Sequence, residues 1–365
     1  MNILFVINAF SLGGAERLVY DLALQLRGQV EAVCVVGLYK TDSPIEAQLQ
    51  SELNRRGIKT YILSKRAKKD RFKSVRQIYK IIKRERISLV HAHCGVPMLL
   101  SKLAGGWARV PVVCTIHSTS GYSAYQERLT AWMSRAYVSI GAAAEKYILE
   151  KLHVPAAKIT RIYNAVDTRH FFPQPKKPDF WQPYGGQPGD IALVHVGRIH
   201  AAKNQLCMLR ALAELKRQNL TQYKLYIVGP YETADPLYQA LVRFVRENNL
   251  EGMVRFLGPQ ADVAPFLTQA DCFVMTSHYE GFSLAFLEAV LCGVPVISTD
   301  LEFVRNLNNM APCALLIAQD DAHALADALR NKTYVTLTPP SDVFARQFSM
   351  ENCARQHLAL YRKLV

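Results

Sequence analysis

Glu280 and Glu288 stand eight residues apart in the run Ser277-His278-Tyr279-Glu280-Gly281-Phe282-Ser283-Leu284-Ala285-Phe286-Leu287-Glu288. A short apolar strand pattern, residues 272–276, leads into a polar turn with a glycine, and an apolar helical pattern follows. One carboxylate falls on the turn and the other inside the helix. A helix start offers free backbone N–H groups and a partial positive charge, which suits a phosphate. Two carboxylates on either side of such a start could hold hydroxyl groups at both ends of a phosphorylated sugar. The plainer alternative is a solvated turn glutamate and a surface helix glutamate, so the rest of the chain must decide.

Other candidates follow strand patterns in the same way. Residues 192–196 end in Gly197-Arg198-Ile199-His200-Ala201-Ala202-Lys203-Asn204. Here Arg198 could grip a diphosphate as a fork and Lys203 as a point charge; two exposed surface cations would read the same in isolation. Gly13 and Gly14, in Ser11-Leu12-Gly13-Gly14-Ala15-Glu16, let backbone approach a ligand closely after the first strand. The pattern is not GxGxxG, and no acidic residue about 20 positions on ends a second strand, so a nicotinamide site is poorly supported. His117 ends residues 112–116, and His91 and His93 flank the end of residues 89–92. The three histidines lack an HxxxH or carboxylate pattern for metal.

The elements that must position these residues are short apolar runs alternating with helical patterns. In the first half they are residues 3–7, 32–36, 60–63, 89–92, 112–116, 137–140 and 159–163. In the second they are 192–196, 225–228, 254–257, 272–275, 294–298 and 314–317. Such alternation predicts parallel sheets covered on both faces. Between the halves, prolines and glycines crowd into residues 173–189, which reads as linker. The expected organisation is a first doubly wound domain over residues 1–172, a linker over 173–190, a second over 191–348, and a terminal helical segment, 349–365. In open sheets of this kind ligands sit beyond the carboxyl ends of the strands, where all the candidates lie.

The 365 residues exceed what one hydrophobic core usually serves. Eight single cysteines without a CxxC pair fit a reducing compartment better than a disulfide framework. The apolar start, residues 1–10, lacks a basic leader and reads as a buried strand. No apolar run approaches the ~18 residues of a membrane span. The net charge of +14 is uneven: between Arg55 and Arg86 lie fourteen Lys or Arg residues and two acids, a net +12. Its core, Lys65 to Lys73, precedes Val75, Ile78, Tyr79 and Ile82 at helical spacing. A basic amphipathic element of this kind suits an anionic membrane surface. A solvated helix is the alternative, and nucleic acid ranks last because no recognition motif accompanies the charge.

With these residues assembled, the chain resembles the retaining glycosyltransferases of family 4, which have the GT-B fold. The stretch Glu280 to Glu288 is similar to the family's E-x7-E motif, and Gly13-Gly14-Ala15-Glu16 to its N-terminal glycine loop. Thr115-Ile116-His117 matches its strand-end histidine. Asn164-Ala165-Val166-Asp167 is similar to its NGVD, with alanine in place of glycine, and Gly197-Arg198 with Lys203-Asn204 to its GR-x4-K. The resemblance implies two Rossmann-like domains facing a cleft, with the terminal helix returning to the first. It implies that Arg198 and Lys203 hold the donor diphosphate, that Glu288 binds the ribose, and that Glu280 contacts the transferred sugar. Backbone N–H groups of Gly281, Phe282 and Ser283 would touch sugar or phosphate, with Gly14 near the diphosphate and His117 near the reacting sugar. It also implies a metal-independent reaction without a cofactor, the nucleotide-diphosphate sugar being a co-substrate. One departure stands out: Thr299-Asp300-Leu301-Glu302-Phe303-Val304 lacks the family's glycine-rich turn.

The expectation is a retaining glycosyltransferase serving a lipid-linked or polysaccharide acceptor in surface polysaccharide or lipopolysaccharide assembly. It would be peripheral at the cytoplasmic face of the membrane, docked through the segment from Arg55 to Arg86. The alternatives are a GT-B sugar-nucleotide epimerase or hydrolase, and a catalytically silent binding module at the membrane. Free sugar without transfer would single out the former. Glycan synthesis unaffected by Glu280→Ala and Lys203→Ala would single out the latter.

Overall fold

The computed structural model describes the chain apart from residues 12, 42, 67, 68, 118–122 and 337–340. Leu12 of the glycine loop, residues 67 and 68 of the basic core and the residues after His117 thus lie outside the described residues. Two compact units are present: Met1–Asp167 with Gln347–Val365, and Thr168–Arg346.

The first unit runs β1 (Asn2–Ile7), α1 (Gly14–Leu26), β2 (Ala32–Gly37), α2 (Pro44–Arg55), β3 (Lys59–Ile62), α3 (Arg71–Arg84) and β4 (Leu89–His93). It continues with α4 (Gly95–Ala108), β5 (Val112–Ile116), α5 (Ala124–Thr130), β6 (Ala136–Ser139), α6 (Ala142–Glu150) and β7 (Ile159–Arg161). The seven strands are parallel in the order β3-β2-β1-β4-β5-β6-β7. β1, β4 and β5 are buried at every position, which is why they read as unbroken apolar runs and not as alternating ones.

The second unit runs β8 (Ile191–Val196), α7 (Gln205–Arg217), β9 (Tyr223–Val228), α8 (Pro236–Glu247), β10 (Val254–Gly258) and α9 (Ala264–Thr268). Then come β11 (Cys272–Met275), α10 (Leu284–Leu291), β12 (Val296–Thr299), α11 (Glu302–Met310), β13 (Leu315–Ile317) and α12 (Ala322–Arg330). Its parallel order is β10-β9-β8-β11-β12-β13. β12 starts two residues later than the apolar run suggests. Gly293 at φ +74° closes α10, and Val294 still donates to the Ala289 carbonyl. Pro295 cannot donate to a ladder, although its carbonyl accepts from Phe273.

α13 (Asp342–Gln347) leads to α14 (Met350–Arg362), which packs on α1 of the first unit. Ser349 caps α14 through its hydroxyl, which accepts from Asn352 N–H at 3.2 Å. On the way in, the chain pairs with the Asn164–Asp167 motif: Val166 N–H donates to Phe348 and Met350 N–H to Val166. Met350, Cys353, Ala354, Leu358 and Tyr361 join the core formed by Ile3, Leu18 and Leu22. Each such fully buried large side chain contributes about 2 kcal/mol.

The Pro/Gly-rich stretch lies in the second unit and is packed against it. Trp181 stacks on Tyr226 with centroids 4.0 Å apart, and its indole N–H donates to the Gln269 carbonyl at 3.0 Å. The basic segment is likewise not uniformly solvated. Lys65 is buried with its ammonium 5.4 Å from the Tyr39 ring centroid, and burial lowers its pKa.

Candidate active site

Both sheets reverse strand order once, between β1 and β4 and between β8 and β11. Such reversals open a crevice beyond the carboxyl ends of the strands. In the second unit the chains leaving β8 and β11 carry Arg198 and Lys203 on one side and Glu280 on the other.

Gly197 N–H donates to the Val228 carbonyl at 2.8 Å and Ile199 N–H to Pro230 at 3.1 Å, so the exit of β8 runs close to that of β9. Gly229 makes the approach possible: it sits at φ +149°, and a side chain there would drive into the Gly197 carbonyl. A single 3-10 turn, Ala201–Lys203, ends at Asn204 in a left-handed conformation. Lys203 then passes over Gly197, its Cε 3.5 Å from where a Cβ of residue 197 would lie. The Lys203 ammonium pairs with Glu280 Oε1, and the Ser277 hydroxyl donates to the same oxygen at 2.8 Å. Side-chain exposures of 22 % and 13 % leave the pair shielded but reachable by a solute. Arg198 is exposed, and no protein group is bonded to its guanidinium among the described residues.

The two loops are stitched together. His278 N–H donates to Ala202 at 2.9 Å, and the Thr276 hydroxyl donates to the Asn204 carbonyl at 2.9 Å. The Thr299 hydroxyl donates to the Ser277 carbonyl at 2.7 Å, so the end of β12 braces the Glu280 loop despite lacking a glycine-rich turn. Beyond it, Asp300 pairs with Arg305, and Glu302 lies in the first turn of α11. Beneath the loops His195 shares a 3.0 Å hydrogen bond with the Val274 carbonyl, and Gln205 donates to the Arg198 carbonyl at 2.9 Å. Ser277, Thr276, Thr299 and Gln205 were missed in the sequence. Their only signal is a polar residue where an apolar strand or helix pattern begins or ends.

α10 begins where the glutamate motif places it. The Ser283 hydroxyl caps it, accepting from Phe286 N–H at 3.3 Å. Phe282 packs its ring on Phe303, centroids 5.6 Å apart, which pins the backbone of Gly281, Phe282 and Ser283 at the helix start. Glu288 is 8 % exposed, a carboxylate within the buried side of α10 and not on a surface helix face.

In the first unit Gly13 is the N-cap of α1 and Gly14 its first residue. His117 leaves β5, and its Nε2 lies 2.8 Å from Nδ1 of His93, at the end of β4. His91 is held differently, between the Tyr361 hydroxyl at 2.6 Å and the Thr115 hydroxyl at 2.7 Å. Its two nitrogens are therefore engaged, and the three histidines do not converge on a common point. Among the described residues the one group within mutual ligating reach is Glu214, His323 and Asp327, on α7 and α12, already bonded to one another as ion pairs.

Burial keeps this set of rings neutral. His91 and His93 are lowered well below the usual 6.5, and His117 and the α14 residue His357, whose ring centroid lies 5.5 Å from that of His91, to about 4, burial being the largest cause in each. His117 reaches the surface at its edge, so the wholly buried His93 is the firmer case for a neutral ring. In the second unit burial lowers His195 to about 4, against the Val274 carbonyl, which favours the protonated form. The sign follows from linkage: below about pH 6.5 the unfolded chain takes up protons that the folded rings refuse. Stability is then intact above pH ~6.5, falls as the pH drops toward the folded values, and levels off below them. Thermal melts from pH 7 to pH 5 should show a falling Tm, and a flat Tm over that range would contradict the neutral cluster.

Two family models divide the chain between them: "Glycosyltransferase Family 4" over residues 12–170 and "Glycosyl transferases group 1" over residues 190–332. The chain belongs to the family 4 retaining glycosyltransferases. A curated member, the UDP-Gal:alpha-D-GlcNAc-diphosphoundecaprenol alpha-1,3-galactosyltransferase of Escherichia coli, is 26 % identical over 272 residues, covering 70 % of this chain and 69 % of its own. Among solved structures, a Rickettsia africae glycosyltransferase matches with TM-score 0.85 at 19 % identity, over 100 % of this chain and 98 % of that one. HepE of Anabaena, solved with UDP and glucose, matches with TM-score 0.83 at 19 % identity, over 99 % of both chains. These neighbours establish the GT-B fold expected from the motifs. This family 4 enzyme is a glycosyltransferase.

Proposed function

We propose that the enzyme transfers a sugar, with retention, from a nucleotide-diphosphate sugar to a lipid-linked or membrane-associated glycan acceptor at the inner face of the cytoplasmic membrane. The observation that carries this reading is the shielded Lys203–Glu280 pair at the strand reversal of the second unit, with the exposed Arg198 on the same loop as Lys203. On donor binding the pair divides its work: Lys203 turns to the diphosphate and Glu280 to sugar hydroxyls. As the bond from the anomeric carbon to the diphosphate breaks, negative charge grows on the phosphate oxygens, where Arg198 and Lys203 stabilise it. The acceptor oxygen bonds to the same face of that carbon, and its proton passes to the departing diphosphate. Glu288 holds the ribose hydroxyls from within α10, and the backbone at Gly281, Phe282 and Ser283 lines the sugar or phosphate. Gly13, Gly14 and His117, on the first unit, serve the diphosphate and the reacting sugar.

The E. coli relative's name carries a UDP donor and a diphosphoundecaprenol acceptor, which supports the donor class and a lipid-linked acceptor. The net charge of +12 between Arg55 and Arg86 supports an anionic membrane surface. A panel of nucleotide sugars, read by thermal stabilisation and by product analysis, tests the donor class. Glu288→Gln should raise KM for every accepted donor about ten-fold, the cost of one hydrogen bond to a charged group. Glu280→Gln should lower kcat about 100-fold and leave stabilisation by free nucleotide unchanged. Wild-type kinetics in both variants would sink the assignment, and free sugar without transfer would replace the transferase by a hydrolase.

A further inference from the structure

α5 is built inside out. A helix on a globular domain normally buries its apolar stripe and exposes its charges. In α5 the buried residue is Glu127, whose carboxylate pairs with the Lys102 ammonium of α4 and accepts from the Tyr137 hydroxyl of β6 at 2.7 Å. The Thr130 hydroxyl accepts from the same ammonium at 3.2 Å. The apolar residues point the other way. Tyr125 is 75 % exposed, Leu129 56 %, and Trp132, in the 3-10 turn that follows, 76 %. Tyr125 and Leu129, four residues apart, share one line of the helix, and Trp132 follows in the turn.

α5 packs beside α4, and α4 beside α3, and exposed rings recur on both. Met133 reaches within 3.7 Å of where a Cβ on Gly106 would lie. The next residue, Trp107, is half exposed and meets Phe72 and Tyr79 of α3, ring centroids 5.8 and 6.5 Å away. Of the twelve large apolar side chains exposed among the described residues, five lie here. α3 supplies a basic border in Arg71, Lys73, Arg76, Lys80 and Lys83, all exposed. The two acids of that segment are already spent, Asp70 on Arg66 and Glu85 on Lys59, Tyr61 and Arg84.

We propose that Tyr125, Leu129, Trp132, Trp107 and Phe72 form an insertion face that enters the interfacial layer of an anionic bilayer, with the α3 cations on the headgroups around it. The proposal rests on the membrane part of the function above and goes further, because charge alone would dock the protein without burying any side chain. Aromatic rings with an apolar body and a polar edge, bordered by Lys and Arg, match the bilayer interface. A protein partner would need an apolar centre inside an acidic rim, whereas anionic lipid presents both everywhere along its surface.

The chain has three tryptophans, two of them on this face. The third, Trp181, stacks on Tyr226 in the second unit and serves as an internal control. The full-length protein is floated with vesicles of equimolar phosphatidylglycerol and phosphatidylcholine, with brominated acyl chains as quencher of tryptophan fluorescence. Wild type should float and be quenched. Trp107→Phe/Trp132→Phe should float and lose the quenching. Tyr125→Ser/Leu129→Ser/Trp132→Ser should keep its melting temperature and its stabilisation by free nucleotide, partition about ten-fold more weakly, and be released completely by salt. Flotation of wild type without quenching overturns the insertion face and leaves the membrane reading standing. No flotation removes both, and self-association in sedimentation that the triple serine variant abolishes would make the occupant a second copy of the chain.

Discussion

Lys203→Met should lower kcat for sugar transfer by about 100- to 1,000-fold, the usual effect of removing one preorganised group from developing negative charge. Two consequences are separable. The first is catalytic: the cation on the diphosphate is gone, and the exposed Arg198 carries the departing charge alone. The second is structural: Glu280 keeps only the Ser277 hydroxyl for its half-shielded carboxylate. That pair is reachable by water, so its loss costs about 1 kcal/mol, far less than a fully buried pair. Adding Glu280→Gln to Lys203→Met should therefore restore the melting temperature without restoring kcat. Measuring both quantities on the single and double variants decides the matter. If activity returns together with stability, Lys203 is a structural counter-ion and not a diphosphate ligand.

The largest stability effect should come from Lys102→Met, with a cost of about 3–5 kcal/mol, because it leaves the Glu127 carboxylate buried without its cation. The two side chains are 0 % and 3 % exposed. The wholly buried Lys102 ammonium also reaches the Tyr137 hydroxyl at 3.2 Å, and burial pushes that phenol's pKa well up. Against a typical total of about 5–15 kcal/mol, such a loss brings the first unit close to unfolding. Replacing both partners, Lys102→Met/Glu127→Leu, should recover most of it, since paired removal leaves no orphan charge. Urea unfolding of the two singles and the double closes the cycle, and additive losses would show that the pair is not coupled. The double variant also turns α5 into a helix apolar on both sides, which should lower solubility.

Much of this enzyme was legible because period and order are strong signals. Buried parallel strands such as β1 and β5 write themselves as apolar runs, and glycine, cation, histidine and carboxylate follow their ends in sequence. What stayed hidden depends on pairings distant in sequence. Nothing local in the sequence says that Lys102 and Glu127, 25 residues apart, meet inside. The same dependence hides the reversed face of α5, since only the inward pairing of Glu127 turns its apolar residues outward. In residues 173–189 the density of proline and glycine read as linker, but the stretch belongs to the second unit, and Phe180, Trp181 and Tyr184 supply the packing that the count overlooked. His93 as the partner of His117 needed the adjacency of β4 and β5. Lys65 looked like part of a uniform basic stripe because a ring 26 residues earlier, Tyr39, gives no local sign.

The return of α14 has a consequence for how the polypeptide is made. The core around Ile3, Leu18 and Leu22 is finished by Leu358 and Tyr361, so during vectorial synthesis the first unit must wait for residues 350–361 to leave the ribosome. The second unit, contiguous from Thr168 to Arg346, can fold in the meantime. Nascent chains should pass through a stage with one finished unit and one that exposes an apolar groove along α1. Premature termination after residue 346 would freeze that stage, giving a product that keeps the nucleotide-binding candidates yet presents a surface chaperones and proteases recognise. Quality control of this enzyme would thus be keyed to α14.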